Sequence, residues 1–268
     1  MALSIIGSLN ANNVEPRFLK VIPSFSIRLH SERTIPVFIL LDVLYEECHY
    51  QQIRQLPVEH ILIENQEEPA LVEVPSIGDI LGDKLTAFAP ETTGIPYYKK
   101  DKLATLEVIK QLFDIGHLFD HIADLKITRA AFVKVARVEL NYRGMDATDI
   151  LAILDDIHTT SLNISTRGNV DKAKFDLLLK GIKSISSFMY RQKYHLEDAI
   201  IDASKAAYLS ALLRSGKDEV LHYPDNPLSL ADMSVGRTLP TKLNKLKIGN
   251  PEAFFYWALT DELLAGVR

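Results

Sequence analysis

SIGDILGDKLTAFAPETTGIPYYKK, residues 76–100, marks the point at which the periodicity of the chain changes from strand-like to helical. Its first part repeats apolar side chains at intervals of three and four residues, which is the spacing of one face of an α-helix. Its second part leaves this pattern and continues with Pro, Thr, Gly and Tyr. Loops between packed elements are usually about 4–6 residues long, so this longer one is a candidate functional segment.

Strand-like segments precede this stretch and helix-like segments follow it. TIPVFILLDVLY at 34–45, HILIE at 60–64 and LVEVP at 71–75 are short runs of β-branched and apolar residues. After the long loop, apolar residues recur at helical spacing near 128–139, 147–158, 172–190, 194–214 and 251–265. The pattern predicts an α+β fold in which a small sheet is followed by a mostly α-helical domain.

Composition excludes several classes of protein. The 268 residues are 47% hydrophobic and 24% charged, with a net charge of -5, which is typical of a soluble globular protein. The single cysteine, Cys48, excludes an internal disulfide and a Cys-rich zinc site. No apolar run approaches the roughly 20 residues of a membrane span. We therefore expect a cytoplasmic protein that makes no membrane contact.

Three polar residues interrupt apolar segments and are candidate site residues. Asp42 lies in ILLDVL, where an ionised carboxylate is costly unless it is paired or bound to a cation. Lys84 and Asp114 each lie between large apolar side chains of predicted helices. Each residue alone also fits a capping role or a charge at the end of an element. Together they could hold an anion and a metal ion, so we predict that they converge on one cleft.

A rival arrangement is present in DIGHLFDHIAD, residues 114–124. Asp114, His117, His121 and Asp124 follow one another at intervals of three, four and three residues and so share one helical stripe, a spacing at which two imidazoles could bind one metal ion. A single helix cannot complete a tetrahedral site, however, and the chain has no HExxH or CxxC motif. The metal-binding interpretation of these histidines therefore remains an alternative.

DILGDKLTAFAPETTGIPYYKK at 79–100, IKQLFDIGHLFD at 109–120 and ILLDVLYEECHY at 39–50 resemble segments of the AbiEii/AbiGii toxin nucleotidyltransferases. These proteins act in bacterial toxin–antitoxin and abortive-infection systems. The resemblance implies a DNA polymerase β-like nucleotidyltransferase fold with an appended helical domain. It also implies a nucleoside triphosphate (NTP) and Mg²⁺ as cofactors, an acceptor such as tRNA, and a cognate antitoxin as a partner. On this basis we expect a nucleotidyltransferase-like domain at 1–121 and a helical domain at 122–268.

The resemblance assigns roles to individual residues. Asp42 matches a carboxylate of the metal site and is the predicted Mg²⁺ ligand, while Lys84 matches the lysine that binds triphosphate oxygens. Asp114 matches the second aspartate of an Arg/Lys-Asp-x-x-Asp motif, with Lys110 at its basic position and Gln111 in place of its first aspartate. Asp83 is predicted to orient Lys84.

The long loop adds candidates for nucleotide binding. Thr92, Thr93 and Gly94 could offer hydroxyl and backbone N–H groups to a phosphate. Tyr97 and Tyr98 could stack on a base, and Lys99 with Lys100 could supply positive charge. A rigid loop that only covers the sheet is the alternative.

One family feature is missing from the sequence. The family opens with a Gly-Ser turn followed by an Asp-x-Asp pair of metal ligands, whereas here Gly7-Ser8 is followed by LNANNVEPRF and no Asp-x-Asp occurs. Because Mg²⁺ sites for this chemistry need several carboxylates, we expect weak NTP binding and no transfer by the chain as given. A truncated product, a start site placed too late and a lost activity all fit. A non-catalytic module that binds a protein or RNA is the alternative function.

The segment RTLPTKLNKLKIGNPEAFFYW, residues 237–257, combines basic and aromatic residues. Lys242, Lys245 and Lys247 are predicted to contact acceptor RNA through its phosphates. The aromatic run at 254–257 follows a Pro that can begin a helix, so we expect it to be buried in the core instead.

Overall fold

The computed structural model describes residues 24–29, 37–42, 48–59, 68–189, 193–224 and 230–266, with the backbone alone in the first two ranges. The chain divides into two compact units, Met1–Cys48 and His49–Arg268. In the first unit, β1 (Ser24–Leu29) pairs antiparallel with β2 (Val37–Asp42), and Ser24 lies opposite Asp42. The predicted apolar strand is therefore confirmed, and Asp42 is its last residue.

The second unit contains two further hairpins. Strand β3 (Ile53–Pro57) pairs antiparallel with β4 (Leu71–Pro75), which confirms the strand predicted for LVEVP. Strand β3 was not predicted, because its residues are exposed and its apolar side chains are too few to give a pattern. HILIE at 60–64 lies outside the described residues. The third pair is β5 (Tyr98–Lys99) with β6 (Lys102–Leu103), joined by two residues at positive φ, as in a type I′ turn.

Helix α1 (Ile77–Ala87) begins at a cap that also anchors the preceding segment. The Asp79 N–H donates to Ser76 Oγ, and the Ser76 hydroxyl donates back to the Asp79 carboxylate at 2.6 Å. The same fully buried carboxylate accepts the backbone N–H groups of Gln51 and Gln52 at 2.6 and 3.0 Å. Residues 51–52, just before β3, are therefore fixed to the N-terminus of α1.

The remaining helices confirm the predicted helical half. Besides α1 they are α2 (Thr105–Phe119), α3 (Lys126–Tyr142), α4 (Ile150–Ser165), α5 (Lys172–Ile185), α6 (Leu196–Ser215), α7 (Leu246–Gly249) and α8 (Pro251–Gly266). Short 3₁₀ turns occupy Ser186–Phe188 and Thr241–Lys245. Small hairpins and a larger set of helices confirm the α+β class. None of the helices in the described ranges is long and apolar enough to cross a lipid bilayer.

The core lies around α6, which packs on α2, α4 and α8, while α1 packs on both α2 and α3. The aromatic run at the start of α8 is buried as predicted, and Phe254 and Trp257 are fully inaccessible to solvent. The predicted division at residue 121 falls between α2 and α3, and it stays a prediction.

Gly82 allows α1 and α3 to approach closely, and we expect its replacement to destabilise the protein. A Cβ atom there would lie 2.7 Å from both the Thr128 carbonyl oxygen and the Phe132 nitrogen, which are rigid backbone atoms. Gly82→Ala should lower the free energy of unfolding by about 1–3 kcal/mol, the usual cost of overpacking. Denaturant unfolding measures this change.

Gly266→Ala is the matched control, because no atom lies within 4 Å of the Cβ position at Gly266. It should change the unfolding free energy by less than about 0.5 kcal/mol. Equal stability of the two variants would contradict the close contact between α1 and α3.

Candidate functional site

Lys84 on α1 and Asp114 on α2 form an ion pair, with Lys84 Nζ 2.7 Å from Asp114 Oδ2. Lys84 Nζ also donates to Gln111 Oε1 at 3.1 Å. Asp114 and Gln111 are three residues apart on α2, so both face the same ammonium group. The structure thus brings together two of the three predicted catalytic residues, and the glutamine found where the motif has an aspartate contacts the same lysine.

This pair is accessible to solvent. The side chains of Lys84 and Asp114 are 27% and 39% exposed. Exposed ion pairs contribute only about 0–1 kcal/mol to stability, so the pair is not needed to hold α1 against α2. A ligand with more negative charge than one carboxylate could compete with Asp114 for the ammonium group.

Asp83 faces a different space from Lys84. It accepts a hydrogen bond from the Tyr50 hydroxyl at 3.3 Å and lines a cavity of about 190 Å³. Thr93, Lys99 and Arg143 line the same cavity. Three residues that were assigned to the nucleotide site, Asp83, Thr93 and Lys99, therefore share one concave surface at the C-terminal end of α1.

The loop after α1 is held by a carboxylate from α4. Asp156 Oδ2 accepts the backbone N–H groups of Glu91 and Thr92 at 2.8 and 2.9 Å and the Thr92 hydroxyl at 2.9 Å. Thr160 donates to the other oxygen at 3.3 Å. Burial raises the pKa of Asp156 above its usual range, and these hydrogen bonds act against that rise. The two Thr92 donors that we assigned to a phosphate are thus engaged by Asp156.

Arg143, just after α3, holds the other side of the loop. Its guanidinium donates to the Thr93 carbonyl at 2.7 Å and to the Gly94 carbonyl. The Thr93 hydroxyl is buried and donates to the Thr86 carbonyl at 2.9 Å. A Cβ atom at Gly94 would lie 2.4 Å from the Ala89 nitrogen, so this turn requires glycine. The loop is therefore rigid and ordered by contacts from three helices.

The two tyrosines of the loop differ in exposure. Tyr97 is partly buried, and this burial raises the pKa of its hydroxyl well above the usual range. A hydrogen bond between the Tyr97 and Thr160 side chains acts against that rise. Tyr98 is 53% exposed, and Lys99 and Lys100 beside it are exposed as well. The β5–β6 hairpin therefore presents an aromatic ring and two positive charges to solvent.

Other predicted residues lie apart from this group. Lys110 makes a cation–π contact with Phe188, and its Nζ lies 3.9 Å from the centroid of the ring. The side chain of Asp42 is outside the described residues. His117 is exposed and bonds to the Phe113 carbonyl at 2.9 Å. No three His, Cys, Asp or Glu side chains among the described residues are grouped to hold a metal ion, and the assignment of Asp42 to Mg²⁺ stays a prediction.

The basic segment near the C-terminus is anchored by Asp261 on α8. Its carboxylate accepts the backbone N–H groups of residues 236–239 at 2.7 to 2.9 Å and the Thr238 hydroxyl at 2.7 Å. Of the predicted RNA-binding lysines, Lys242 donates to Asn169 at 3.0 Å and Lys247 donates to the carbonyls of Ala231 and Met233. Lys245 is exposed.

Asp156 and Arg143 were missed by the sequence analysis. A signal for Asp156 was present, because it shares the buried stripe of α4 with Ile153 and Ile157, where an acidic residue must find donors. Arg143 gives no such signal, since it follows the last residue of α3 and its partners are 49 and 50 residues away in sequence.

The chain thus has an α+β fold in which a lysine and an aspartate from successive helices form an ion pair, and a separate, ordered Thr-Gly loop that lines a cavity with Asp83. The family model described as "Nucleotidyl transferase AbiEii toxin, Type IV TA system" matches residues 5–211. The chain belongs to this family, which confirms the resemblance found in the sequence. Membership implies a nucleotidyltransferase toxin with a cognate antitoxin. No curated protein and no solved structure matches the chain.

Asp156→Ala should loosen the loop after α1, because it leaves two backbone N–H groups and a hydroxyl without their acceptor. We expect the free energy of unfolding to fall by about 2–4 kcal/mol. The amide protons of Glu91 and Thr92 should exchange with solvent faster than in the native chain. Asp155→Ala is the control, since Asp155 makes an exposed ion pair with Arg214. Unchanged exchange at Glu91 and Thr92 in Asp156→Ala would contradict the assigned contacts.

Asp261 should make stability depend on acid pH. Its pKa is lowered to about 2 by hydrogen bonds from Arg237, Gly236 and Thr238, although burial acts in the opposite direction. Because the folded pKa of Asp261 lies below the usual aspartate value of 3.8, the contribution of this carboxylate to stability is present above about pH 4 and is lost as the pH falls towards 2. At pH 7 Asp261→Asn should cost about 2 kcal/mol of unfolding free energy, a difference that disappears near pH 2.

Asp232→Asn, at an exposed position, provides the control for this measurement. Urea unfolding of both variants and the native chain from pH 7 to pH 2 gives the comparison. A difference between Asp261→Asn and the native chain that stays constant with pH would show that the Asp261 carboxylate is not held in its ionised form.

Proposed function

We propose that the protein is the nucleotidyltransferase-like toxin of a toxin–antitoxin pair, with a site at Lys84 for transfer of a nucleotide from an NTP to an acceptor RNA such as tRNA, and that this chain, which has no Asp-x-Asp pair, transfers little. The observation that carries this proposal is the ion pair between Lys84 and Asp114. The resemblance to the family assigned both positions to the catalytic site, and their side chains are in contact in the fold. The pair is also accessible to solvent, as a substrate site must be.

In this proposal Lys84 supplies a positive charge to the triphosphate, and Asp114 with Gln111 holds its ammonium group in position before the substrate arrives. Phosphate oxygens carry more charge than the Asp114 carboxylate, so the ammonium can turn towards them. During transfer an acceptor hydroxyl loses its proton and bonds to the α-phosphorus, while pyrophosphate leaves with the electrons of the broken P–O bond. Lys84 would stabilise the charge that collects on that leaving group.

The ordered loop would contribute through the cavity that it lines together with Asp83, the residue next to Lys84 on α1. Asp156 and Arg143 fix its backbone, so Thr92 and Thr93 contribute through the shape of the loop and Lys99 through its charge. Tyr98 is the exposed ring that could stack on a base. The described residues present no grouped metal ligands, and we assign no step to Mg²⁺. Asp42 remains the proposed residue for its binding.

A second function is favoured by one observation. No Asp-x-Asp pair occurs in the 268 residues, although the family uses one to hold its metal ions. The chain would then bind NTP or RNA without catalysing transfer, and its helical half would contact a partner. The two functions share the site at Lys84 and differ only in the chemistry.

Incubation with labelled NTPs, Mg²⁺ and bulk tRNA tests these proposals. If the chain transfers nucleotides, Lys84→Ala should lower the rate by about 10²-fold, because it removes a charge that acts on the leaving phosphates. Asp114→Asn should also lower the rate, since it no longer neutralises and positions Lys84. Lys134→Ala, an exposed lysine on α3, is the control and should leave the rate unchanged.

Binding of labelled NTP separates the two functions. Binding that depends on Lys84, without incorporation into tRNA, supports the non-catalytic function. A chain whose transfer and NTP binding are both unaffected by Lys84→Ala would rule out the site in either function.

A further inference from the structure

A cavity of about 310 Å³ lies where the last turns of α2 meet the first turns of α6 and the start of α8. The segment that precedes α6 closes it on another side through Tyr194. It shares no lining residue with the cavity beside Asp83, and Lys84 does not line it. The transfer proposed above has no use for this second cavity.

Acidic side chains outnumber basic ones in its walls. Four carboxyl groups and two lysines line it, those of Asp120, Asp198, Asp202, Glu252, Lys193 and Lys205. Lys205 is almost fully buried, and its ammonium group is shared by Asp120 and Glu252. With His117 neutral, the net charge is about −2 when all four carboxyl groups are ionised and about −1 when one holds a proton. In both states the cavity favours a cationic ligand.

The carboxyl group of Asp202 gives an independent indication of a ligand. Asp202 is only 7% exposed, and its Oδ2 accepts the Tyr194 hydroxyl at 2.7 Å. Its Oδ1 accepts no hydrogen bond from the described residues, yet it is not one of their polar atoms that are both closed to solvent and unpaired. It lies over Gly116, where a Cβ atom would be 1.9 Å away, and Gly116 lines the cavity as Asp202 does. Oδ1 is therefore open to the cavity.

The other buried aspartates of the described chain are satisfied on both oxygens. Asp79 accepts three hydrogen bonds, Asp156 four and Asp261 five, and each of these carboxylates fixes a backbone segment. The bond from Tyr194 accounts for only one oxygen of Asp202. Burial raises the pKa of this carboxyl to about 7, and a cation in contact with Oδ1 would favour its ionised form.

Water and a metal ion explain these features less well than an organic cation. Water could donate to Oδ1 but would not neutralise the charge of the cavity. A metal ion needs several ligand atoms at once, and no three His, Cys, Asp or Glu side chains in the described ranges are grouped to provide them.

Aromatic rings in the walls also suit an organic cation. Phe113, His117 and Tyr194 line the cavity. The centroid of the Phe113 ring lies 4.0 Å from that of His117 and 5.5 Å from that of Tyr194. Ammonium and guanidinium groups are attracted to aromatic rings as well as to carboxylates.

We propose that this cavity binds a small organic cation that carries a primary ammonium or a guanidinium group. The N–H groups of the cation donate to Oδ1 of Asp202 and to the Asp198 carboxylate, and its carbon chain packs against Phe113 and Ile201. The volume falls at the lower end of the range of small-molecule sites, about 300–1,000 Å³. This site does not depend on the function proposed for Lys84.

Isothermal titration calorimetry with agmatine and with 1,4-diaminobutane tests the proposal on the native chain. The titrations are made at low salt and at about pH 8, above the pKa of Asp202. Both probes should bind, and the affinity should fall as salt is added, because the attraction is electrostatic. The control ligand is 1,4-butanediol, which has the same carbon chain without the charge and should not bind.

Asp202→Asn should weaken binding of both probes by about tenfold or more, since a charge-assisted contact is lost. The variant should stay folded, because the Tyr194 hydroxyl can donate to the amide oxygen of the new side chain. Asp232→Asn, at an exposed position outside the cavity, is the matched control and should bind as the native chain does. Thermal unfolding checks the stability of both variants.

Lys193→Gln provides a second test, at an exposed position where folding is not at risk. It removes a positive charge from the wall and should strengthen binding by about threefold or more. Lys180→Gln, an exposed lysine of α5, should have no effect. The proposal is overturned if neither probe binds the native chain, if 1,4-butanediol binds equally well, or if either cavity variant binds the probes as the native chain does.

Discussion

Helix α6 is buried on nearly every side, and this constraint determines where α2, α4 and α8 can lie. Its buried positions include several small residues, such as Ala203, Ala206 and Ala207, which let neighbouring helices approach closely. The closest approach is at Gly116 of α2, where a Cβ atom would lie 1.9 Å from Asp202 Oδ1. Glycine at 116 therefore permits this contact between α2 and α6, and Asp114 on the same helix α2 contacts Lys84 of α1.

The charged residues of α6 reinforce this arrangement. Burial raises the pKa of Asp202 to about 7, although the Tyr194 hydroxyl donates to it at 2.7 Å. The folded carboxyl therefore holds its proton more tightly than the unfolded one, so its contribution to stability is fully present below about pH 4 and is lost as the pH rises from there through 7. Lys205, one turn away, is almost fully buried and pairs with Asp120 at 2.8 Å and Glu252 at 3.2 Å. It joins α6 to the segments that end α2 and begin α8.

Two loops of the second unit are ordered by the same physical means. Asp156 on α4 accepts N–H groups of the loop after α1, and Asp261 on α8 accepts those of residues 236–239. In each case a carboxylate from a packed helix satisfies donors that would otherwise need water or a ligand. The loops can therefore hold functional side chains in place without a bound substrate. The first loop lines a cavity with Asp83, and the second precedes the 3₁₀ turn Thr241–Lys245.

The sequence by itself determined the α+β class, the order of the helices and the family, and it selected Lys84 and Asp114 as candidate site residues, because periodicity, caps and motifs are local properties. It also indicated that the aromatic run at 254–257 is buried. Only the tertiary structure decided that Asp156 engages the donors of Thr92 and that Gln111 shares Lys84 with Asp114. The contacts of Asp156 with Thr92 and of Lys84 with Gln111 join residues separated by 64 and 27 positions, and no local pattern specifies such pairs, because they depend on how whole helices pack against one another.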